Sequence, residues 1–251
     1  MIKRASAILA WLAVGHAVLG ALYWALLLVP ESNVFMLATS LLLVLGMVWW
    51  LGLVEGVGLL AWQADDGLRA SVAPAAKRVW LVVFPLVVFG VVWWMTGLVS
   101  GWLDRNWSEI DAWILVKTGW TRFPILRSAC EHVMAFVRYG LGASLALTLF
   151  VDLLRSGVGG LRSPSWLRRA FSWRQLLVIA AALVVGVLLP SHLAYWRWQP
   201  AGATATWFEA VFAATKLSLL YLLANASWAA TLRTVVRGST ATGTTQRETT
   251  A

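Results

Sequence analysis

The sequence predicts an all-α, polytopic integral membrane protein of about six transmembrane helices, and three observations carry that reading. The first is a set of long apolar runs at 5–29, 34–62, 79–100, 133–154, 175–190 and 207–232. Most match or exceed the ~20 apolar residues that cross a ~30 Å hydrocarbon layer at ~1.5 Å per residue. Lipid offers no hydrogen bonds to the backbone, so such runs are expected to be helical. The second is composition: 60% of the 251 residues are apolar and 12% charged, where a soluble domain carries about 25% charged residues. The third is where the charges fall. With the N-terminus inside, the inner segments hold thirteen Lys and Arg and the outer segments five, with Arg138 and Lys216 inside spans. That asymmetry follows the positive-inside rule and predicts cytoplasmic termini.

The formal charge of +9 would raise nucleic-acid binding in a soluble protein. Here the basic residues cluster at the ends of apolar runs, where they anchor to head groups and set orientation, so nucleic acid is not expected as a partner. The lone Cys130 excludes an intrachain disulfide and a thiolate metal cluster.

Span one follows Lys3 and Arg4. At about 25 residues it is longer than a signal-peptide apolar region of roughly 7–15, and it reads as a retained helix. His16 lies near its centre. Span two carries Trp49-Trp50 near its middle, where an interfacial aromatic belt does not apply, so bulky packing and a ligand wall are both open. Glu55 sits between Gly52 and Gly56, a spacing that permits close helix approach and would bury the carboxyl against a neighbouring helix. Gly97 and Gly101 in span three repeat the spacing. The connector 63–78, with Asp65-Asp66 and Pro74, is expected to be short with about one helical turn.

The connector 101–130 is punctuated by Trp102, Trp107, Trp113 and Trp120. A helix lying in the outer interface is expected there, because indole has an apolar body and a polar N–H; a re-entrant segment is the alternative. Phe123-Pro124 opens the next helix. Glu131, His132 and Arg138 cluster at the outer start of span four. Residues 155–174 predict a glycine-rich turn and then a basic interfacial helix suited to anionic lipids. His192 follows Pro190 at the outer end of span five, with Trp196 and Trp198 just beyond. The chain through residue 237 is expected to form one transmembrane domain, and the polar tail 238–251 to be disordered.

Three groups of residues are candidates for chemistry. Of the 18 tryptophans, ten fall at or near the expected outer face. They read either as an aromatic belt or as an aromatic-lined site for a lipid, quinone, pigment or glycan head group. The intramembrane ionisable groups form the second set, because a charge at the bilayer centre costs at least ~2.5–3.5 kcal/mol. Lys216 lies nine residues past Trp207, about 13–14 Å deep, with Thr215, Ser218 and Asn225 offering a polar seam; it either snorkels or serves a relay, ligand or subunit contact. Glu131, His132 and Arg138 form the third set, and His132 and His192 could approach one another beneath the aromatic belt, as a metal or haem pair would require. The chain has no Gly-x-Ser-x-Gly, His-Glu-x-x-His, phosphate-loop or Cys-x-x-Cys motif.

In overall style the chain resembles bacterial inner-membrane proteins generally, without a motif that carries a family's residues over. The leading expectation is a non-enzymatic subunit or accessory protein of a larger membrane assembly. Its partners would be lipids, a lipophilic ligand, and a membrane protein or a second copy. The sequence assigns no cofactor and no metal. A small transporter, channel or lipid-handling protein using Lys216, His16 and Glu55 is the alternative. A membrane enzyme acting on an outer-leaflet lipid-linked substrate through Glu131, His132, His192 and Arg197 ranks third.

Overall fold

The computed structural model describes residues 2–30, 32–63, 67–119, 123–162, 164–195 and 205–248. Among them every regular element is helical: α1 (Ile2–Leu28), α2 (Val34–Gln63), α3 (Gly67–Arg78), α4 (Val83–Thr118), α5 (Phe123–Ala135), α6 (Gly142–Ser156), α7 (Ser165–Ala170), α8 (Trp173–Leu183), α9 (Leu189–Tyr195) and α10 (Ala205–Glu248). A short 3-10 turn, Val79–Val82, joins α3 to α4. Turns of π-helix at Phe136–Leu141 and Val184–Leu188 join α5 to α6 and α8 to α9, so each pair reads as one rod. Six helical stretches are thereby long and apolar enough to cross a membrane.

Three elements differ from expectation. The connector 63–78 holds a 12-residue helix, α3, which packs its Ser71 and Ala75 face inward, in place of a single turn. Residues 101–118 of the Trp-rich connector continue α4 and do not form a separate helix. Helix α4 runs unbroken for 36 residues to Thr118 and ends at Gly119, whose φ of 65° gives a left-handed cap. The physical reason is that nothing between Ser100 and Thr118 interrupts helical hydrogen bonding; Gly101 alone is a weak breaker. The backbone of α10 likewise stays helical to Glu248, through the segment whose composition predicts disorder. Extending an existing helix fixes one residue per hydrogen bond gained, which is far less costly than nucleating one.

The core lies at one end of the bundle. Ile8 and Leu12 of α1, Val54, Leu59 and Ala61 of α2, Leu147, Phe150, Val151 and Leu154 of α6, and Leu232, Val235 and Val236 of α10 pack together. Glycine lets α2 sit at the centre of this cluster. A Cβ on Gly15 would come within 2.6 Å of Val54, one on Gly52 within 2.9 Å of Val82, and one on Gly58 within 3.3 Å of both Leu12 and Leu232. The Gly52/Gly56 spacing therefore does what small residues do at helix interfaces. Gly97 and Gly101 repeat it without use, as nothing lies within 4 Å of either.

The basic connectors meet at this same end. Arg4 Nε donates to the carbonyl of Ala61 at 2.9 Å, Arg155 Nε donates to Gln63 Oε1 at 3.2 Å, and Arg78 donates to the carbonyls of Leu154 and Arg155. Asp152 and Arg169 form a largely buried ion pair. Ser144 Oγ donates to the carbonyl of Ala170 at 2.7 Å and accepts from Gln175 Nε2 at 2.7 Å. The 155–174 segment is thus drawn into the bundle by specific contacts, where the sequence suggests only a turn and a surface helix.

Candidate functional site

A cluster of interhelical hydrogen bonds lies where α1, α2 and α10 meet. Two indoles first lock α1 to α2 in opposite directions. Trp11 Nε1 on α1 donates to the carbonyl of Val54 at 3.1 Å, and Trp50 Nε1 on α2 donates to the carbonyl of Gly15 at 2.8 Å. The close approach permitted by Gly15 brings His16 against Glu55, with Nε2 and Oε1 3.0 Å apart. Helix α10 completes the set. Its Trp228 Nε1 lies 2.9 Å and 3.0 Å from the two carboxyl oxygens of Glu55, and Asn225 Oδ1 lies 2.7 Å from His16 Nδ1.

The proton inventory of this cluster follows from its geometry. Asn225 Nδ2 already donates to the carbonyl of Tyr221 at 2.9 Å, so Asn225 presents its oxygen to His16 and Nδ1 must carry a hydrogen. Trp228 can only donate, so Glu55 accepts from it. A hydrogen bond along the 3.0 Å His16–Glu55 axis requires one further proton. Placed on Nε2 it makes an imidazolium–carboxylate pair; placed on Oε1 it makes a neutral imidazole and a carboxylic acid. Both arrangements carry no net charge, which is what a water-poor site favours. Glu55 is buried, at 6% exposure, and Asn225 at 4%, while the His16 side chain retains 23% exposure. The cluster is therefore closed on itself at Glu55 and partly open at His16.

Trp50 is thus a packing and hydrogen-bonding residue, while its neighbour Trp49 is 49% exposed and faces away from the core. Lys216 does not join His16 and Glu55. It is half-buried with Nζ 5.7 Å from the centroid of the Phe212 ring, and it lies nine residues, or about 13.5 Å, along α10 from Asn225. Thr215 and Ser218 are exposed on α10, while Asn225 faces His16.

Glu131, His132 and Arg138 take separate partners among the described residues. Glu131 Oε1 accepts from Arg127 Nε at 3.1 Å, and His132 Nδ1 lies 2.6 Å from the carbonyl of Ser128, both one turn back on their own helix. Arg138 turns to α4 instead. Its Nε donates to Thr96 Oγ1 at 3.1 Å and its guanidinium lies 4.7 Å over the Trp93 ring. The π turn at Phe136–Leu141 carries Arg138, and such turns redirect side chains relative to a regular helix. His192 is exposed on α9. Trp196, Arg197 and Trp198 lie outside the described residues. Among the described residues no three His, Cys, Asp or Glu side chains gather into a group that could hold a metal ion.

Trp11, Trp228 and Asn225 are the partners that sequence reasoning passed over or placed elsewhere. A signal existed: Tyr221, Asn225 and Trp228 fall at i, i+4 and i+7, which places them on one face of α10. No family model, curated protein or solved structure matches this chain.

Proposed function

We propose that this chain is a non-enzymatic integral-membrane subunit or accessory protein of a larger assembly in a bacterial cytoplasmic membrane. The observation that carries the reading is the overlength helix α4. Its 36 residues span about 54 Å against a ~30 Å hydrocarbon layer. The excess packs against α5, where Trp107 is buried and Arg127 pairs with Asp104 at 3.8 Å. Yet Trp113 and Val116 remain 63% and 82% exposed on that projection. Apolar surface carried beyond the hydrocarbon marks a contact with head groups or another protein. The buried polar groups at α1, α2 and α10 are engaged with one another, which supports an architectural role for them. Charge distribution supports cytoplasmic termini, with the α4–α5 hairpin on the outer side.

A second reading, a small proton-coupled transporter, is favoured by one feature, the 3.0 Å contact between His16 Nε2 and the buried Glu55 carboxyl. Lys216 stands apart from it, so the polar pathway would be narrower than the sequence suggests. Both readings meet one experiment. The tagged chain is extracted gently and its co-purifying proteins are measured by native mass spectrometry, alongside Trp113→Ser/Val116→Asp. A stoichiometric partner retained by the wild type and lost at least about tenfold in the variant is expected. No partner on the wild type, together with proton flux in liposomes containing the chain alone, would remove the subunit reading in favour of the transporter.

A further inference from the structure

At the basic end of the bundle a groove of about 520 Å³ opens between α1 and α10. Its lining divides sharply by chemistry. Ala226, Ala229 and Ala230 of α10 form a floor too small to fill it, and Leu9 of α1 forms one wall. One turn and two turns further along α10, Arg233 and Arg237 stand at its end. They are four residues apart, hence on one face and within reach of one common anion. The Arg233 guanidinium lies 5.3 Å from the centroid of the Trp62 ring, a cation–π contact that holds its position. No acidic residue is among the described lining residues.

From Ala226 to Arg237 the groove follows eleven residues of helix, about 16 Å. A ligand for it must be apolar over most of that length and anionic at one end. We propose that this groove binds a single anionic phospholipid of the cytoplasmic leaflet, its phosphate between Arg233 and Arg237 and an acyl chain along the alanine floor. The inference rests on the membrane embedding and inside-basic orientation proposed above, and is independent of any protein partner. Arginine suits the task because its planar fork meets phosphate oxygens in pairs. The alanines suit it because a larger side chain would occupy the acyl track.

The test uses the full-length chain alone in detergent, titrated with dioleoylphosphatidylglycerol or dioleoylphosphatidylcholine and read by native mass spectrometry. The wild type is expected to retain one phosphatidylglycerol in preference to phosphatidylcholine. Each basic residue near a membrane surface contributes roughly fivefold in affinity for an anionic lipid, so Arg233→Gln/Arg237→Gln should bind phosphatidylglycerol about 30-fold more weakly. Ala230→Leu keeps both charges and replaces an exposed methyl; it should also lose the lipid, and it decides the matter if the double variant fails to fold. Equal retention of the two lipids by the wild type would overturn the proposal, as would unchanged phosphatidylglycerol binding in both variants. Displacement of the lipid by millimolar inorganic phosphate would overturn it in favour of a free-anion site. Any of these results leaves the subunit reading standing, and the absence of a protein partner leaves this one standing.

Discussion

Glu55 is held from two helices at once, by His16 of α1 and Trp228 of α10, and it is the side chain on which the α1–α2–α10 contact turns. Interhelical hydrogen bonds in membranes contribute about 0.6 kcal/mol on average and up to ~1.7. Glu55→Leu orphans Trp228 Nε1 and leaves His16 with one partner fewer. It is expected to lower stability by about 1–3 kcal/mol in reversible unfolding by detergent mixtures. His16→Leu should cost less, because Asn225 retains its bond to the Tyr221 carbonyl. The double variant should be less destabilised than the two single losses combined, since the pair shares one interaction. Strict additivity would show that the 3.0 Å contact carries no energy.

Helix α2 shows how a single element serves two environments. Its first half, with Leu41, Leu42 and Leu45 exposed, presents side chains outward, while Gly52–Leu59 is buried almost without interruption. The change coincides with the glycines at 52, 56 and 58, which let neighbouring elements approach closely. Gly52→Leu should therefore destabilise the fold by about 1–3 kcal/mol, the usual consequence of overfilling a packed contact. Gly97→Leu, on a face with nothing within 4 Å, should be tolerated or slightly stabilising through helix propensity. Thermal unfolding of the two variants side by side checks the contrast, and comparable losses would contradict the packing described for α2.

Over the whole molecule, packing and charge are concentrated at one end. The core residues, the Asp152–Arg169 pair and the Arg4, Arg78 and Arg155 contacts lie together, while Val14, Tyr23 and Trp24 of α1 and Trp207 and Val211 of α10 are exposed. The proposed orientation puts that packed end in the cytoplasm. In a Cys130→Ala background, Val116→Cys should react with a membrane-impermeant maleimide applied to intact cells, and Arg69→Cys should react only after the membrane is opened. Labelling of both positions from the same side would reject the topology.

The all-helical class and six helices of membrane-crossing length were legible in the sequence alone, because apolar length and internally paired backbone are one-dimensional properties. The sequence also located Glu55 beside glycines that would bury it, since Gly52 and Gly56 leave room that only a neighbour can fill. It could not show that His16 is that neighbour, or that Asn225 and Trp228 arrive from a helix some 170 residues later in the chain. Such meetings depend on which helix faces pack together, and apolar surfaces of nearly uniform composition leave little pattern to declare a face. The fate of Lys216, Arg138 and the Trp-rich connector was decided by tertiary structure for the same reason. A side chain's depth follows from counting residues along a helix, whereas its partner is fixed only when the helices are assembled.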